Sequence, residues 1–285
     1  MAVNKLENDR LLIEISDHGA ELSRIYRKDV QKEALWNADP AFWNRHAPVL
    51  FPFVGASNGG VYHWQGKEYP MKQHGFARDT EFELVEAGEK KVVHRLVSSE
   101  KTRENYPFDF CLTITHTLEG NTVGVDWKVE NRTDGEMYFT IGAHPAFLVE
   151  KGSWLLTPGK ESLNYIRINE AGEVLPEPVY ELKLPGGRLQ MPEDMFQEGV
   201  YIFEDGQLDQ VGLAAADGSP LVMLSCKGFP YVGVWSKPGA PFVCLEPWYG
   251  RSDNKDFAGD LSQKTGVQKL ERDGVFHVCY SITVG

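Results

Sequence analysis

Apolar residues along this chain recur at every second position, a period that admits strands and very little else. The alternation is plain in Leu11-Ile13-Ile15, Phe110-Leu112-Ile114, Val123-Val125-Trp127-Val129, Val211-Leu213-Ala215 and Phe276-Val278-Tyr280-Ile282. Residues two apart share one face of a strand, so each run marks a strip with one buried side. The continuous apolar runs Val200-Tyr201-Ile202-Phe203 and Phe242-Val243-Cys244-Leu245 suit strands covered on both faces. Turn pairs separate them: Asp134-Gly135, Asp205-Gly206, Asp217-Gly218 and Asp273-Gly274. No helix-period stretch of ten or more residues lies between these segments. Alternating βαβ units are therefore excluded, and the expected class is all-β: a large antiparallel β-sandwich with a few short helices.

Short helical turns are expected at Asp39–Trp43 and Pro192–Phe196, where proline can start them. The proline- and glycine-rich stretch Pro176–Gly187 reads as a long surface loop. Patterning resumes after it unchanged and no internal repeat is visible, so residues 1–285 are expected to form a single domain. The net charge of −12 argues against nucleic acid or an anionic membrane as partner. The first residues lack a signal-peptide core, and no apolar run reaches 18 residues. Cys111, Cys226, Cys244 and Cys279 form no CxxC pair and read as small core hydrophobes of a reducing compartment. A soluble, cytoplasmic protein is the expectation.

The stretch Gly55-Ala56-Ser57-Asn58-Gly59 fits a serine-hydrolase elbow, but turn and strand patterning follow it where that elbow needs a helix. The eight histidines show no His-x-His, His-x-x-x-His or His-Glu-x-x-His spacing, so no metal ligands are assigned. His94, His116 and His277 lie in alternating stretches and read as strand-surface or core residues. Two other histidines stand out by context. His74 lies beside Gly75, which permits close backbone approach. His144 precedes Pro145, which biases it toward extended geometry and fixes where its ring points. Glu246 precedes Pro247 at the end of an apolar run, where a carboxylate is costly to bury without a partner or a role. Phe147, Phe229, Tyr231, Trp235, Trp248 and Tyr249 surround these candidates, and aromatic faces suit the C–H faces of sugar rings. Arg45 and Arg78 flank the region and can hold hydroxyls, a carboxylate or a phosphate.

Four motifs in order carry a resemblance. They are Arg45-His46-Ala47-Pro48-Val49-Leu50-Phe51-Pro52-Phe53-Val54-Gly55, then His74-Gly75-Phe76-Ala77-Arg78, Gly142-Ala143-His144-Pro145-Ala146-Phe147 and Leu245-Glu246-Pro247-Trp248. Together the chain resembles the aldose 1-epimerase (galactose mutarotase) superfamily, and within it the LacX-like branch. The resemblance implies His144 as general acid and Glu246 as general base, with His74 binding the sugar near its ring oxygen or anomeric hydroxyl. It implies Arg45 as a substrate-binding arginine. An acidic residue for ring hydroxyls is also implied, with Asp205 as the nearest match and Glu204 competing. Galactose mutarotase proper carries Gly-Arg-x-x-Asn-Arg where this chain reads Phe51-Pro52-Phe53-Val54-Gly55, so galactose specificity does not transfer.

The implied activity is interconversion of α and β hexose anomers by ring opening and reclosure, with a small sugar as the partner. Only protons move, so no cofactor or metal is expected. An ionised Glu246 and a His144 pKa raised by that carboxylate are the expected protonation states. Two alternatives stand beside this. One is a hexose-6-phosphate 1-epimerase using Arg45, Arg78 and Lys72 as a phosphate cradle. The other is a non-catalytic carbohydrate-binding sensor on the same fold.

Overall fold

The computed structural model describes residues 2–285. Two large sheets dominate, and every ladder between paired strands is antiparallel. The nine-stranded sheet centres on three long strands, Phe110–Glu119, Thr122–Asn131 and Val275–Val284. The eight-stranded sheet runs Val174–Lys183, Ser162–Ile168, Tyr201–Phe203, Tyr231–Trp235, Phe242–Tyr249, Ile141–Ala143 and Val49–Leu50. Its remaining strand, Ala146–Leu148, also pairs with Phe242–Tyr249. A four-stranded meander covers Val3–Glu33. This is the expected β-sandwich.

Aromatic rings join the two large sheets. Phe276 of the nine-stranded sheet meets Tyr249 of the eight-stranded one at 5.0 Å between centroids, and Phe51 meets Phe110 at 5.1 Å. The strand Phe242–Tyr249 is apolar throughout because both its faces are covered. Val243 and Leu245 point into the main core, while Phe242, Cys244 and Trp248 belong to separate apolar clusters on the opposite face. The strand Tyr201–Phe203 is divided the same way, with Tyr201 and Phe203 in the core and Ile202 on the far side. That far side, outside the sandwich interior, carries the cleft.

Some expectations need correction. Pro176–Gly187 is not a loop: Val174–Lys183 is a ten-residue strand at the edge of the eight-stranded sheet. Pro176 and Pro178 are tolerated because an edge strand need not donate every N–H, and the pairing register shifts around Tyr165 and Arg167, opposite them. Asp39–Trp43 and Pro192–Phe196 close as isolated hydrogen-bonded turns and never propagate into helices. The one α-helix among the described residues, Glu100–Asn105, is not marked by the period-two reading; a reciprocal capping box between Ser99 and Thr102 starts it. Ser57 is followed by a 3-10 turn and the strand Val61–Trp64, so the hydrolase geometry is absent. Cys111, Cys226 and Cys244 are buried thiols, whereas Cys279 is exposed. No helix is long and apolar enough to cross a membrane.

Candidate active site

Strand pairing builds the site. Gly142 pairs with Trp248 and Ala146 with Cys244, on either side of a break at His144-Pro145. His144 therefore lies abreast of Glu246, the residue between those two partners. Its Nε2 stands 3.1 Å from Glu246 Oε2. Both residues are buried, His144 to 7 % and Glu246 to 1 % exposure.

Burial shifts both groups in the direction opposite to that expected from the sequence. It holds the His144 imidazole down at about 3, with the Arg78 guanidinium adding to the shift. It also pushes the Glu246 carboxyl well above the ordinary carboxylate range, only partly offset by the neighbouring Trp248 indole. The reason is that neither group keeps enough water or hydrogen bonds to carry a charge. His144 Nδ1 and Glu246 Oε2 have no hydrogen-bond partner among the described residues. Burial thus works against charge on either group and favours the neutral pair. That pair has the same proton count as the imidazolium–carboxylate form, and the two groups titrate as one unit.

His74 enters from the loop before Ala77 at a left-handed φ of 67°. The Gly55 N–H donates to its Nδ1 at 3.1 Å, which places the proton of the neutral ring on Nε2. Burial first, then His144, Arg78 and Arg45, hold its pKa well below the usual value. Its ring stands edge-on to His144 at 5.5 Å. The next residue must be glycine: a Cβ on Gly75 would sit 2.3 Å from the Phe51 carbonyl oxygen. That same carbonyl accepts from the N–H groups of Phe76 and Ala77, pinning the loop.

Around this core lies a cleft of about 420 Å³, within the range of small-molecule sites. His74, Arg45, Arg78, Trp235, His144 and Glu246 all line it. Arg45 pairs with Asp79 at 2.6 Å and donates to the Arg78 carbonyl. Arg78 donates to the Gln73 carbonyl at 2.7 Å, while its buried Nε has no partner among the described residues. Trp43, absent from the sequence-derived candidates, lies over His144 with ring centroids 4.8 Å apart.

Asp205 does not join them. It is exposed, with φ 60°, at the turn that leads from Tyr201–Phe203 of the eight-stranded sheet to Gln210–Ala214 of the nine-stranded one, where Asp-Gly serves the turn itself. Glu204 is engaged by Arg251 Nε at 2.6 Å. Glu246 is the one carboxylate lining the cleft. Ile168, Val200 and Ile202 form a hydrocarbon wall of the cleft. Val200 and Ile202 lie in an apolar run that the sequence marks as a buried strand, while Ile168 carries no such signal.

For a metal, the nearest donor set is His144, Cys244 and Glu246, whose ligand atoms lie within 4.8 Å of one another. Burial, reinforced by Glu246, pushes the Cys244 thiol well above its ordinary value. A protonated thiol beside a protonated carboxyl is a poor ligand pair, because ligands bind deprotonated.

Comparison with known proteins bears on the fold and family. Protein LacX (plasmid) of Lactococcus lactis subsp. lactis is 28% identical, with 98% of each chain aligned. A galactose mutarotase related enzyme from Lactobacillus acidophilus superposes with a TM-score of 0.95 at 30% identity, covering 100% of this chain and 97% of that one. A galactose mutarotase-like protein from Lactobacillus casei gives 0.89 at 30% identity, with both chains fully covered. The model of the aldose 1-epimerase family matches residues 3–249, a span that holds the paired His144 and Glu246, and the chain belongs to that family.

Proposed function

We propose that the protein is an aldose 1-epimerase in activity, interconverting the α and β anomers of a hexose. The observation that carries this reading is the 3.1 Å approach of His144 Nε2 to Glu246 Oε2 inside a sugar-sized cleft. Mutarotation needs an acid at the ring oxygen and a base at the anomeric hydroxyl, two oxygens bonded to the same carbon. One close pair of side chains can serve both.

In its charged form Glu246 takes the proton from O1 while His144 delivers one to the ring oxygen. The C1–O5 bond breaks and the free aldehyde forms. Those transfers leave the pair neutral, the state that burial favours, so the pair stabilises the open chain. Rotation about C1–C2 presents the other carbonyl face. Reclosure then returns the protons by the same two groups with their roles exchanged. His74, its Nε2–H free to donate, and Trp43 and Trp235 position the ring. Each positioned acid or base contributes roughly 10²–10⁴-fold.

Polarimetry on freshly dissolved α-glucose and α-galactose tests this, with catalysed mutarotation of at least one free aldose expected. The unpartnered Arg78 Nε in a cleft that Arg45 also lines supports a second reading, a sugar phosphate as substrate. Conversion of hexose 6-phosphates alone, in the same panel, would select it. Sugar binding without conversion of any compound would leave the sensor reading.

A further inference from the structure

The eight-stranded sheet presents a polar end and a hydrocarbon end to the cleft. Ile202 pairs with Gly233, and Gly233 pairs with Glu246, so the three residues form one row on one face. Neighbouring strands lie about 4.8 Å apart, which puts Ile202 about 10 Å from Glu246. Between them Gly233 offers no side chain, and the Trp248 indole lies over it: a Cβ there would meet two of its ring carbons at 2.5 Å. A pyranose held at C1 by His144 and Glu246 and laid along this row would extend over the gap, with its far edge toward Ile202, Val200 and Ile168. The one charged neighbour on these strands, Arg167, turns to the opposite face and stacks over Tyr201 at 4.0 Å. Asn44, Arg45, Gln73, His74 and Ser252, which with Arg78 supply most of the cleft's hydrogen-bonding groups, come from loops, and Arg78 from the 3-10 turn Ala77–Asp79.

Resting on the anomerase reading above, we propose that this cleft selects deoxyhexoses, aldoses bearing hydrogen in place of the hydroxyl that would face the Ile168–Val200–Ile202 wall. A hydroxyl pressed on that wall gives up its water and gains no partner, while a C–H or methyl group is buried favourably. Apolar sites of this kind discriminate by about 10- to 100-fold.

The test is a single-hydroxyl deletion series: glucose against 3-deoxy-, 4-deoxy- and 6-deoxyglucose, each leaving the anomeric carbon and its neighbour intact. Mutarotation is followed by polarimetry, and affinity by quenching of tryptophan fluorescence from Trp43, Trp235 and Trp248. At least one deoxy analogue is expected to exceed glucose in kcat/KM by about tenfold or more. Val200→Thr, which adds an oxygen at nearly constant volume, and Ile202→Asn are expected to shrink that advantage. If Ile202→Asn fails to fold, Val200→Thr decides. Glucose matching or exceeding all three analogues would overturn the proposal while leaving the anomerase reading standing. If no aldose is converted, that reading fails alone, and the affinity ratios still decide: tighter binding of a deoxy analogue supports the wall's role, and equal or weaker binding refutes it.

Discussion

Replacing Glu246 with glutamine separates chemistry from folding, because the two should move in opposite directions. The amide keeps the size of the carboxyl but cannot exchange the anomeric proton, so turnover should fall by about 10²–10⁴-fold. Stability should rise. Burial holds the Glu246 carboxyl above its ordinary value of 4.5 in the folded chain, while the unfolded chain ionises near that value. Below pH 4.5 both states are protonated and the residue's contribution is pH-independent. As pH rises from there toward the folded pKa, the unfolded state alone releases its proton, and wild-type stability falls by up to about 1.4 kcal/mol per pH unit. Glutamine has nothing to titrate. A chain of 285 residues has an unfolding entropy of roughly 0.6 kcal/mol/K, so each unit widens the gap in favour of the variant by about 2 °C. Thermal melts of both proteins at pH 4.5, 5.5 and 6.5, with polarimetry on the same samples, measure both effects. Turnover within threefold of wild type would refute the assignment of the base. A Tm difference that stays constant with pH would refute the neutral buried carboxyl.

His144→Asn should cost turnover on the same scale with little change in sugar affinity by tryptophan quenching, since the loops and aromatic rings still hold the ring; affinity collapsing in parallel with turnover would contradict this. His116, far from the cleft in the strand Phe110–Glu119, is held neutral to about pH 3 by burial. The folded pKa is depressed, so its stabilising contribution is present above 6.5 and lost as pH falls, at about 1.4 kcal/mol per unit. His116→Gln should therefore flatten the Tm–pH slope between pH 6.5 and 5, and an unchanged slope would count against it. Gly233→Ala should push the Trp248 indole off the sheet and into the cleft, raising KM for sugars about tenfold or more with a loss of roughly 1–3 kcal/mol in stability. Unchanged KM in a folded variant would show that the indole does not floor the sugar.

The sandwich was legible because period-two patterning and Asp-Gly turns are local signals. His144 and Glu246 were legible for a related reason: each precedes a proline on an otherwise apolar stretch, where a polar residue stands out. Glu246 and Ile202 are neighbours only through Gly233, and that pairing depends on which strands lie side by side, which alternation does not encode. Asp205 misled because Asp-Gly is at once a turn signal and a source of carboxylate, and here the turn takes it. Pro176–Gly187 misled because proline content reads as loop, yet an edge strand accepts proline. The pKa shifts run against the expectation because an ordinary pKa presumes water, and this pair is buried.

The row through the eight-stranded sheet divides the work between separate pieces of chain. The groups proposed to move protons stand on Phe242–Tyr249 and at the break before Ala146, while the hydrocarbon wall stands on and just before Tyr201–Phe203 and at the end of Ser162–Ile168, with Tyr231–Trp235 between. On the proposed reading, substitutions at positions 168, 200 and 202 change which aldose fits without touching His144 or Glu246. A scaffold arranged this way can diversify its clientele by drift in two strands while its reaction stays the same. For library design, these three positions are the ones to randomise, and the strand bearing Glu246 is the one to leave alone.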